Sequence, residues 1–289
     1  MEKILITGAT GLLGLTLVPH LRKRGHNIVT QARAGGADYL VEMADKSHVF
    51  EFLTRIQPAV IINLVGLTSV EDCQDQTNAA YLANTRAVEN LAQWILQTGA
   101  ASHLIQISTD HVYDGTGPHT EEVVTLTNNY AFSKYAGELA ATMVPHTILR
   151  TNFVGLSKSS NRVSLTDWVF ASLKNGENIK VLDDIFCSPL SMTTLSEMIY
   201  LVIEQRPVGI FNLGSRNGMS KADLDFYFAE CLGLQTKTMI RINSDQASFL
   251  KAYRPKDMRL DCTKFETTFQ VTLPDLRDEI EFVAKDYHE

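Results

Sequence analysis

Tyr130 and Lys134 stand four residues apart in the run Asn129-Tyr130-Ala131-Phe132-Ser133-Lys134 and so bring a phenol and an ammonium together. Side chains at that spacing share a helix face. The cation can therefore draw the phenol pKa down from its free value of about 10 towards working pH. A phenol tuned in this way gives a proton to a carbonyl or takes one from an alcohol. The same spacing also occurs on ordinary solvated helices, so the rest of the chain has to decide between the two readings.

A second set of residues supplies that context. Ile4-Leu5-Ile6-Thr7 is a short apolar run with strand character, and Gly8-Ala9-Thr10-Gly11-Leu12-Leu13-Gly14 follows it at once. Leu13, Leu17 and Leu21 then recur at helical spacing. Strand, glycine turn and helix in that order form a dinucleotide cradle. Gly8 permits the tight turn, Gly11 lets the main chain approach a pyrophosphate, and Gly14 lets the helix pack close to the sheet. The phosphates then meet free N–H groups at the positive end of the helix.

These residues need a scaffold, and the chain reads as one built from alternating strands and helices. Asn27–Thr30, Val60–Val65, His103–Ser108 and Thr147–Arg150 are strands, with helices over Val49–Ile56, Asn78–Gln97 and Tyr130–Met143. Such alternation predicts an α/β fold with a doubly wound parallel Rossmann sheet, in which ligands sit at the carboxyl ends of the strands. The glycine turn, Leu64-Val65-Gly66, Ser108-Thr109-Asp110 and Thr151-Asn152-Phe153 all follow predicted strands. Beyond Arg150 the regularity breaks: a polar loop over Gly155–Arg162, helices over Ser164–Leu173 and Met192–Glu204, and a strand over Gly209–Leu213. The expected organisation is a nucleotide-binding domain over residues 1–152, rejoined by about 190–213, with residues 153–289 mainly forming a smaller C-terminal substrate-binding lobe.

Composition narrows the class. At 289 residues the chain can bury a large core, and 45% hydrophobic with 20% charged residues is ordinary for a globular protein. A net charge of −7 with no Lys/Arg run argues against a nucleic-acid partner. No stretch approaches the apolar length that spans a bilayer, and the chain enters a strand almost at once with no signal-like leader. Cys73, Cys187, Cys231 and Cys262 lie far apart without metal-ligand spacing, which points to free thiols in a reducing cytoplasm.

Taken together the motifs resemble the extended short-chain dehydrogenase/reductases and, within them, the dTDP-4-dehydrorhamnose reductase family. The resemblance rests on Thr7–Gly14, Ile62-Asn63, Thr68-Ser69-Val70-Glu71, Ser108–Gly115, Tyr130–Glu138, Leu149–Gly155, Ser188-Pro189, Gly209–Leu213 and Arg254-Pro255. It implies that Tyr130 donates a proton to a sugar C4 ketone while a nicotinamide supplies hydride. Lys134 would hold the ribose and sharpen the phenol, and Thr109 would hydrogen-bond the carbonyl oxygen. The implied cofactor contacts are Gly8, Thr10, Gly11, Leu12, Leu13, Gly14, Glu42, Met43, Leu64, Val65 and Gly66, with Tyr130 and Lys134. The implied substrate contacts are Thr68, Thr109, Asp110, His111, Phe153 and Arg254. Asp110 is read either as a sugar contact or as a carboxylate capping its turn. Asn84 is read either as holding a water near Lys134 or as a buried polar residue satisfied by backbone.

The end of the second strand bears on cofactor choice. No acid stands at Gln31 or Ala32 to bind ribose hydroxyls, and Arg33 is placed to receive a phosphate. That favours NADP(H), with NAD(H) the alternative. Departures from the family fall on the sugar side: His111 replaces an aromatic residue and Phe153 a tryptophan. Leu15 stands where some members bring a carboxylate for a magnesium-linked dimer, so no metal is carried over, and Asp183-Asp184 reads as a turn. For the substrate diphosphate the candidates are Arg216, Lys221, Arg254 and Lys256, with Arg254 first.

The expected activity is an NADP(H)-dependent reductase of a nucleotide-activated 4-keto-6-deoxyhexose in polysaccharide or glycosylated-metabolite synthesis. A regulatory subunit like the β subunit of methionine adenosyltransferase, and a sugar-nucleotide epimerase, are the alternatives. A homodimer is left open, and neither a nucleic acid nor a membrane is expected as a partner.

Overall fold

The computed structural model describes residues 2–160 and 162–288; Met1, Glu289 and Asn161, the last within the loop expected over Gly155–Arg162, lie outside the described residues. The chain divides into two compact units. One comprises Met1–Thr109, Asn128–Arg150 and Ser196–Phe211, the other Asp110–Thr127, Thr151–Leu195 and Asn212–Glu289. The segment 110–127, expected in the first domain, falls in the second unit.

In chain order, β1 (Lys3–Thr7) runs through the glycine turn into α1 (Gly14–Lys23), which buries Leu17, Val18 and Leu21. β2 (Asn27–Ala32), the short β3 (Tyr39–Leu40) and α2 (Lys46–Ile56) follow, with the Asp45 side chain capping α2 by accepting from the His48 amide. β4 (Val60–Asn63) is buried at every position and leads into α3 (Val70–Asp75) and α4 (Thr77–Tyr81). A π-helical turn, Leu82–Arg86, joins α4 to α5 (Ala87–Thr98), so the single helix expected over 78–97 is interrupted. Then come β5 (His103–Ile107), α6 (Asn129–Ala141) and β6 (His146–Thr151).

The chain continues through β7 (Phe153–Val154), α7 (Leu165–Lys174), β8 (Ile179–Leu182), β9 (Phe186–Cys187) and β10 (Leu190–Ser191). It passes along α8 (Met192–Gln205) and β11 (Gly209–Leu213), then β12 (Met219–Ser220), α9 (Lys221–Cys231) and β13 (Met239–Ile242). Helices α10 (Thr263–Phe269) and α11 (Leu276–Lys285) finish it.

Seven strands form the large sheet, in the order β11-β6-β5-β4-β1-β2-β3. The pairings from β3 across to β6 are parallel, with Ile4 opposite Ile28 on one side and Val60 on the other. The chain winds outward from β1 in both directions, which makes the β1/β4 boundary the topological switch point where such sheets bind ligands. This is the doubly wound α/β architecture that the alternation predicts. On one face Val49, Phe52 and Leu53 of α2, with Leu91, Trp94 and Ile95 of α5, pack on Leu5, Ile61, Leu104 and Ile148. Fully burying each such side chain contributes about 1.5–3 kcal/mol.

The second unit has its own core: Val169 and Leu173 of α7, Ile179 and Val181 of β8, Leu224 and Phe228 of α9, and Ile280 and Val283 of α11. All four cysteines are free thiols. No helix among the described residues is long and apolar enough to cross a membrane, and no group of three or more His, Cys, Asp or Glu among them could hold a metal ion. Asp183 and Asp184 are ion-paired, to Arg241 and Lys256 respectively.

Candidate active site

The glycine turn is built by close approach. Gly8 has φ +67°, and a Cβ there would sit 2.9 Å from the Val65 nitrogen, where the chain leaves β4. Only glycine fits both that backbone and that gap. A Cβ on Gly14 would overlap the Ala9 carbonyl, so the start of α1 lies tight against the turn. Gln31, at 1% exposure, locks the turn from β2: its Oε1 accepts from the Gly8 amide at 3.1 Å while its Nε2 donates to the Val41 carbonyl at 2.5 Å. Gly11 N donates to Gly8 O at 3.0 Å and Leu15 N to Gly11 O at 3.1 Å. Among the described residues the Thr10, Leu12 and Leu13 amides have no acceptor within the protein, so the turn presents donors of the kind a diphosphate needs.

The carboxyl ends of three strands are tied by buried polar side chains. Thr7 Oγ1 donates to Asn63 Oδ1 at 2.6 Å, and Asn63 Nδ2 donates to Gln106 Oε1 at 2.8 Å. Asn63 Oδ1 also accepts from Val65 N at 3.3 Å, which turns the chain out of β4 two residues before the predicted strand end. Asn84, on the π-helical turn, then clamps the segment that follows. Its Oδ1 accepts from Leu67 N at 2.8 Å, and its Nδ2 donates to Leu67 O at 3.0 Å and Ser133 Oγ at 2.9 Å. Asn84 is thus a buried polar residue satisfied by the Leu67 backbone and the Ser133 hydroxyl. A Cβ on Gly66 would come within 3.0 Å of Asn84 Oδ1 and 3.9 Å of Lys134 Nζ, so a side chain there would crowd the Asn84 amide beside the lysine.

Helix α6 begins with Asn128 capping through a 2.9 Å bond from Ala131 N. Tyr130 and Lys134 are both buried, at 7% and 5% exposure. Lys134 Nζ donates to the Ile107 carbonyl at 2.7 Å, and burial pushes its pKa down to about 8 against the opposing pull of Glu138. Glu138, one turn further along, is a buried hub. Arg150 reaches it through Nε at 3.1 Å and Nη2 at 2.7 Å, and the Ser108 hydroxyl bonds to it as well. That hub anchors the end of β5, from which buried Thr109 follows.

In the second unit Asp110 begins a 3₁₀ turn, and its Oδ2 accepts from Asn152 Nδ2 at 2.9 Å. Burial holds the His111 pKa down to about 3, helped by the charges of Lys221 and Arg254, so its ring is neutral. Tyr113 OH donates to Asn212 Oδ1 at 2.7 Å. Asp114 accepts from Lys256 N at 2.8 Å and Tyr253 OH at 3.0 Å, which pins the segment carrying Arg254 to the loop that carries His111. Phe153, half-buried, pairs across β7 with Leu190 of β10.

A family model described as the RmlD substrate binding domain matches residues 1–289. The chain belongs to that family. It is 29% identical over 290 residues to the dTDP-4-dehydrorhamnose reductase of Shigella flexneri, covering 94% of this chain and 93% of that one. It is 27% identical over 282 residues to methionine adenosyltransferase 2 subunit beta of Rattus norvegicus, covering 92% of this chain and 82% of that one. The crystal structure of a dTDP-4-dehydrorhamnose reductase from Bacillus anthracis in complex with NADP superposes with a TM-score of 0.89, covering 99% of each chain at 23% identity. That likeness carries the fold.

Within this RmlD-type chain, the first unit brings together Gly8, Thr10, Gly11, Leu12, Leu13 and Gly14 at the turn, and sets Lys134 beside Gly66. Thr68, Arg33 and Glu42 are exposed, and Glu42 Oε1 accepts from Ala44 N at 3.2 Å. Met43 is different: its side chain is 2% exposed and packed in the core, and Asn90 holds its carbonyl at 2.9 Å. Asp110, His111, Phe153 and Arg254 belong to the second unit. Sequence reasoning missed Gln31 as the lock of the turn, the row Thr7, Asn63 and Gln106, and the hub at Glu138. A polar residue closing an otherwise apolar strand was the available signal for the row.

Proposed function

We propose that the chain is an NADP(H)-dependent reductase of a nucleotide-activated 4-keto-6-deoxyhexose, acting as its dTDP-4-dehydrorhamnose reductase relatives are named. The observation that supports this most is Lys134, a buried ammonium held by the Ile107 carbonyl on the same helix face as Tyr130 and close to Gly66. A bound nicotinamide supplies the hydride. Tyr130 gives its hydroxyl proton to the ketone oxygen, and the Thr109 hydroxyl donates to that oxygen as charge builds on it. Donors placed in advance stabilise the developing alkoxide more than the ketone. Lys134 keeps positive charge next to the phenol and favours its proton loss. Asp110, His111, Phe153, Thr68 and Arg254 serve the sugar nucleotide. The free amides of the glycine turn fit a dinucleotide diphosphate. Arg33, exposed just after β2 while Gln31 is occupied internally, favours NADP(H) over NAD(H).

The test is NADPH absorbance against a panel of dTDP- and GDP-4-keto sugars. Wild type consumes NADPH with at least one member, and Tyr130→Phe abolishes turnover while NADPH still binds, because the change removes a proton and little shape. The likeness to the methionine adenosyltransferase subunit supports a second reading, a nucleotide-binding regulatory subunit. No turnover with any sugar, together with tight binding to a partner enzyme, would favour it.

A further inference from the structure

The second unit carries a cavity that none of the roles above uses. Helix α9 puts Asp223, Phe226, Tyr227 and Glu230 at positions i, i+3, i+4 and i+7, so the four share one stripe. The opposite side of the helix is the packed one, with Ala222, Leu224, Phe228 and Ala229 in the core. The outer stripe of a surface helix is ordinarily polar. Here two half-buried rings stand in the middle of it and, with Met219 and Leu234, floor a cavity of about 440 Å³ whose lining belongs wholly to the second unit. That volume falls within the range of small-molecule sites, about 300–1,000 Å³.

Guanidiniums from two other elements line the same cavity. Arg241 of β13 lies over the Phe226 ring at 4.8 Å, and Arg277 of α11 lies over the Tyr227 ring at 4.5 Å. Arg241 is neutralised, because it pairs with Asp183 and, at 2.7 Å, with Asp223. Arg277 makes no ion pair among the described residues. Neither does Glu230, whose carboxylate has no hydrogen-bond donor among them either. Both charges also stand at the helix end that disfavours them. Glu230 is the last residue but one of α9, where free carbonyls favour a cation, and Arg277 is the second residue of α11, where free amides favour an anion. One cavity with an apolar floor thus presents an unpaired base and an unpaired acid, and a ligand carrying both opposite charges would satisfy the two together.

We infer that this cavity binds a small zwitterion with an apolar or aromatic side group, in the manner of an α-amino acid. The ligand's carboxylate meets Arg277, its ammonium meets Glu230, and its side group lies on Met219, Phe226 and Leu234. A guanidinium that sets its face on a ring keeps its N–H edge for a carboxylate, and a carboxylate accepts from an ammonium. The inference stands apart from the reductase reading, in which no residue of the cavity has a part.

Calorimetric titration of the full chain with L-leucine, L-phenylalanine and L-tryptophan tests this, each beside its analogue lacking the ammonium and its analogue lacking the carboxylate. At least one of the amino acids should bind saturably, and both of its analogues at least about tenfold more weakly, the scale of one lost charge-assisted hydrogen bond. Arg277→Gln and Glu230→Gln should each weaken binding of that amino acid by a similar factor, while Glu230→Gln leaves binding of the ammonium-free analogue unchanged. Without ligand, neither variant should melt below wild type, because neither charge is paired in the fold. The inference is overturned if none of the three amino acids binds saturably, if either analogue binds as tightly as its parent, if either variant keeps the wild-type affinity, or if either melts lower.

Discussion

Asp225→Asn should stabilise the protein, and by more at pH 8 than at pH 5. Asp225 lies inside α9 at 2% exposure with no partner for Oδ1, and burial lifts its pKa from 3.8 to about 7. For an acid whose folded pKa is raised, the ionised form is the one penalised. Below the unfolded pKa of about 4 the carboxyl is protonated in both states and costs nothing. The cost grows as pH rises and levels off above about 7. Between those two limits the folded chain holds one proton more than the unfolded chain, and each pH step of one costs about 1.4 kcal/mol. The penalty therefore runs from about 2 kcal/mol at pH 5 to about 4 kcal/mol at pH 8. Asparagine keeps the shape and removes the ionisation. Its amide is also poorly partnered, but that cost does not change with pH. Subtracting the wild-type melting temperature from the variant's at each pH therefore isolates the titration, and every other ionisable group cancels. At about 2–4 °C per kcal/mol, the difference should widen by at least about 4 °C between pH 5 and pH 8. A difference that stays constant across that range would show that Asp225 is not a buried titrating acid.

Three further outcomes follow from the first unit. Gly137→Ala places a methyl onto the Asn84 carbonyl of the π-helical turn, so a loss of about 2 kcal/mol or more is expected, with weaker NADPH binding as the Leu67 clamp shifts; an unchanged melting temperature would refute that close packing. Arg150→Met strands Glu138 at 1% side-chain exposure and should cost about 3–5 kcal/mol in denaturant unfolding, part of which Glu138→Gln in the same chain recovers. Arg33→Ala should raise KM for NADPH about tenfold and leave KM for NADH alone, on the scale of one lost charged hydrogen bond; steady-state preference for NADH in wild type, untouched by the change, would remove the case for NADP(H).

What the sequence made legible was local. The turn Gly8–Gly14 joins two consecutive elements and the pair Tyr130 and Lys134 shares one helix, so spacing along the chain points to both, and the parallel sheet follows from the alternation of strands and helices. What it hid depends on register between elements. Gln31 looked like the vacant position for a ribose-binding acid, but it reaches across to the Gly8 amide because Thr7 lies opposite Gln31 in the β1/β2 pairing. Nothing in Val41-Glu42-Met43 shows which side chain turns inward, and it is Met43 that fills the core. The break in the helix over 78–97 was equally invisible, since the π-helical turn is held by Asn84 reaching to Leu67 and Ser133 on two other segments.

The hidden part still obeys a rule that could be applied to a sequence. In a parallel sheet buried on both faces, strands read as unbroken apolar runs, so a polar residue closing such a run has to find a partner. Thr7, Asn63 and Gln106 each sit at or one residue from a strand end, and the register sets Thr7 opposite Asn63 and Asn63 opposite Gln106. Their side chains therefore meet in a row at the carboxyl edge. Asn63 then spends its remaining acceptor on Val65 N, which bends the chain out of the sheet where Gly8 makes room for it. The glycine turn and the Leu64–Gly66 segment are thus two sides of one construction, since the chain that Asn63 bends out of β4 packs on Gly8, which has no side chain.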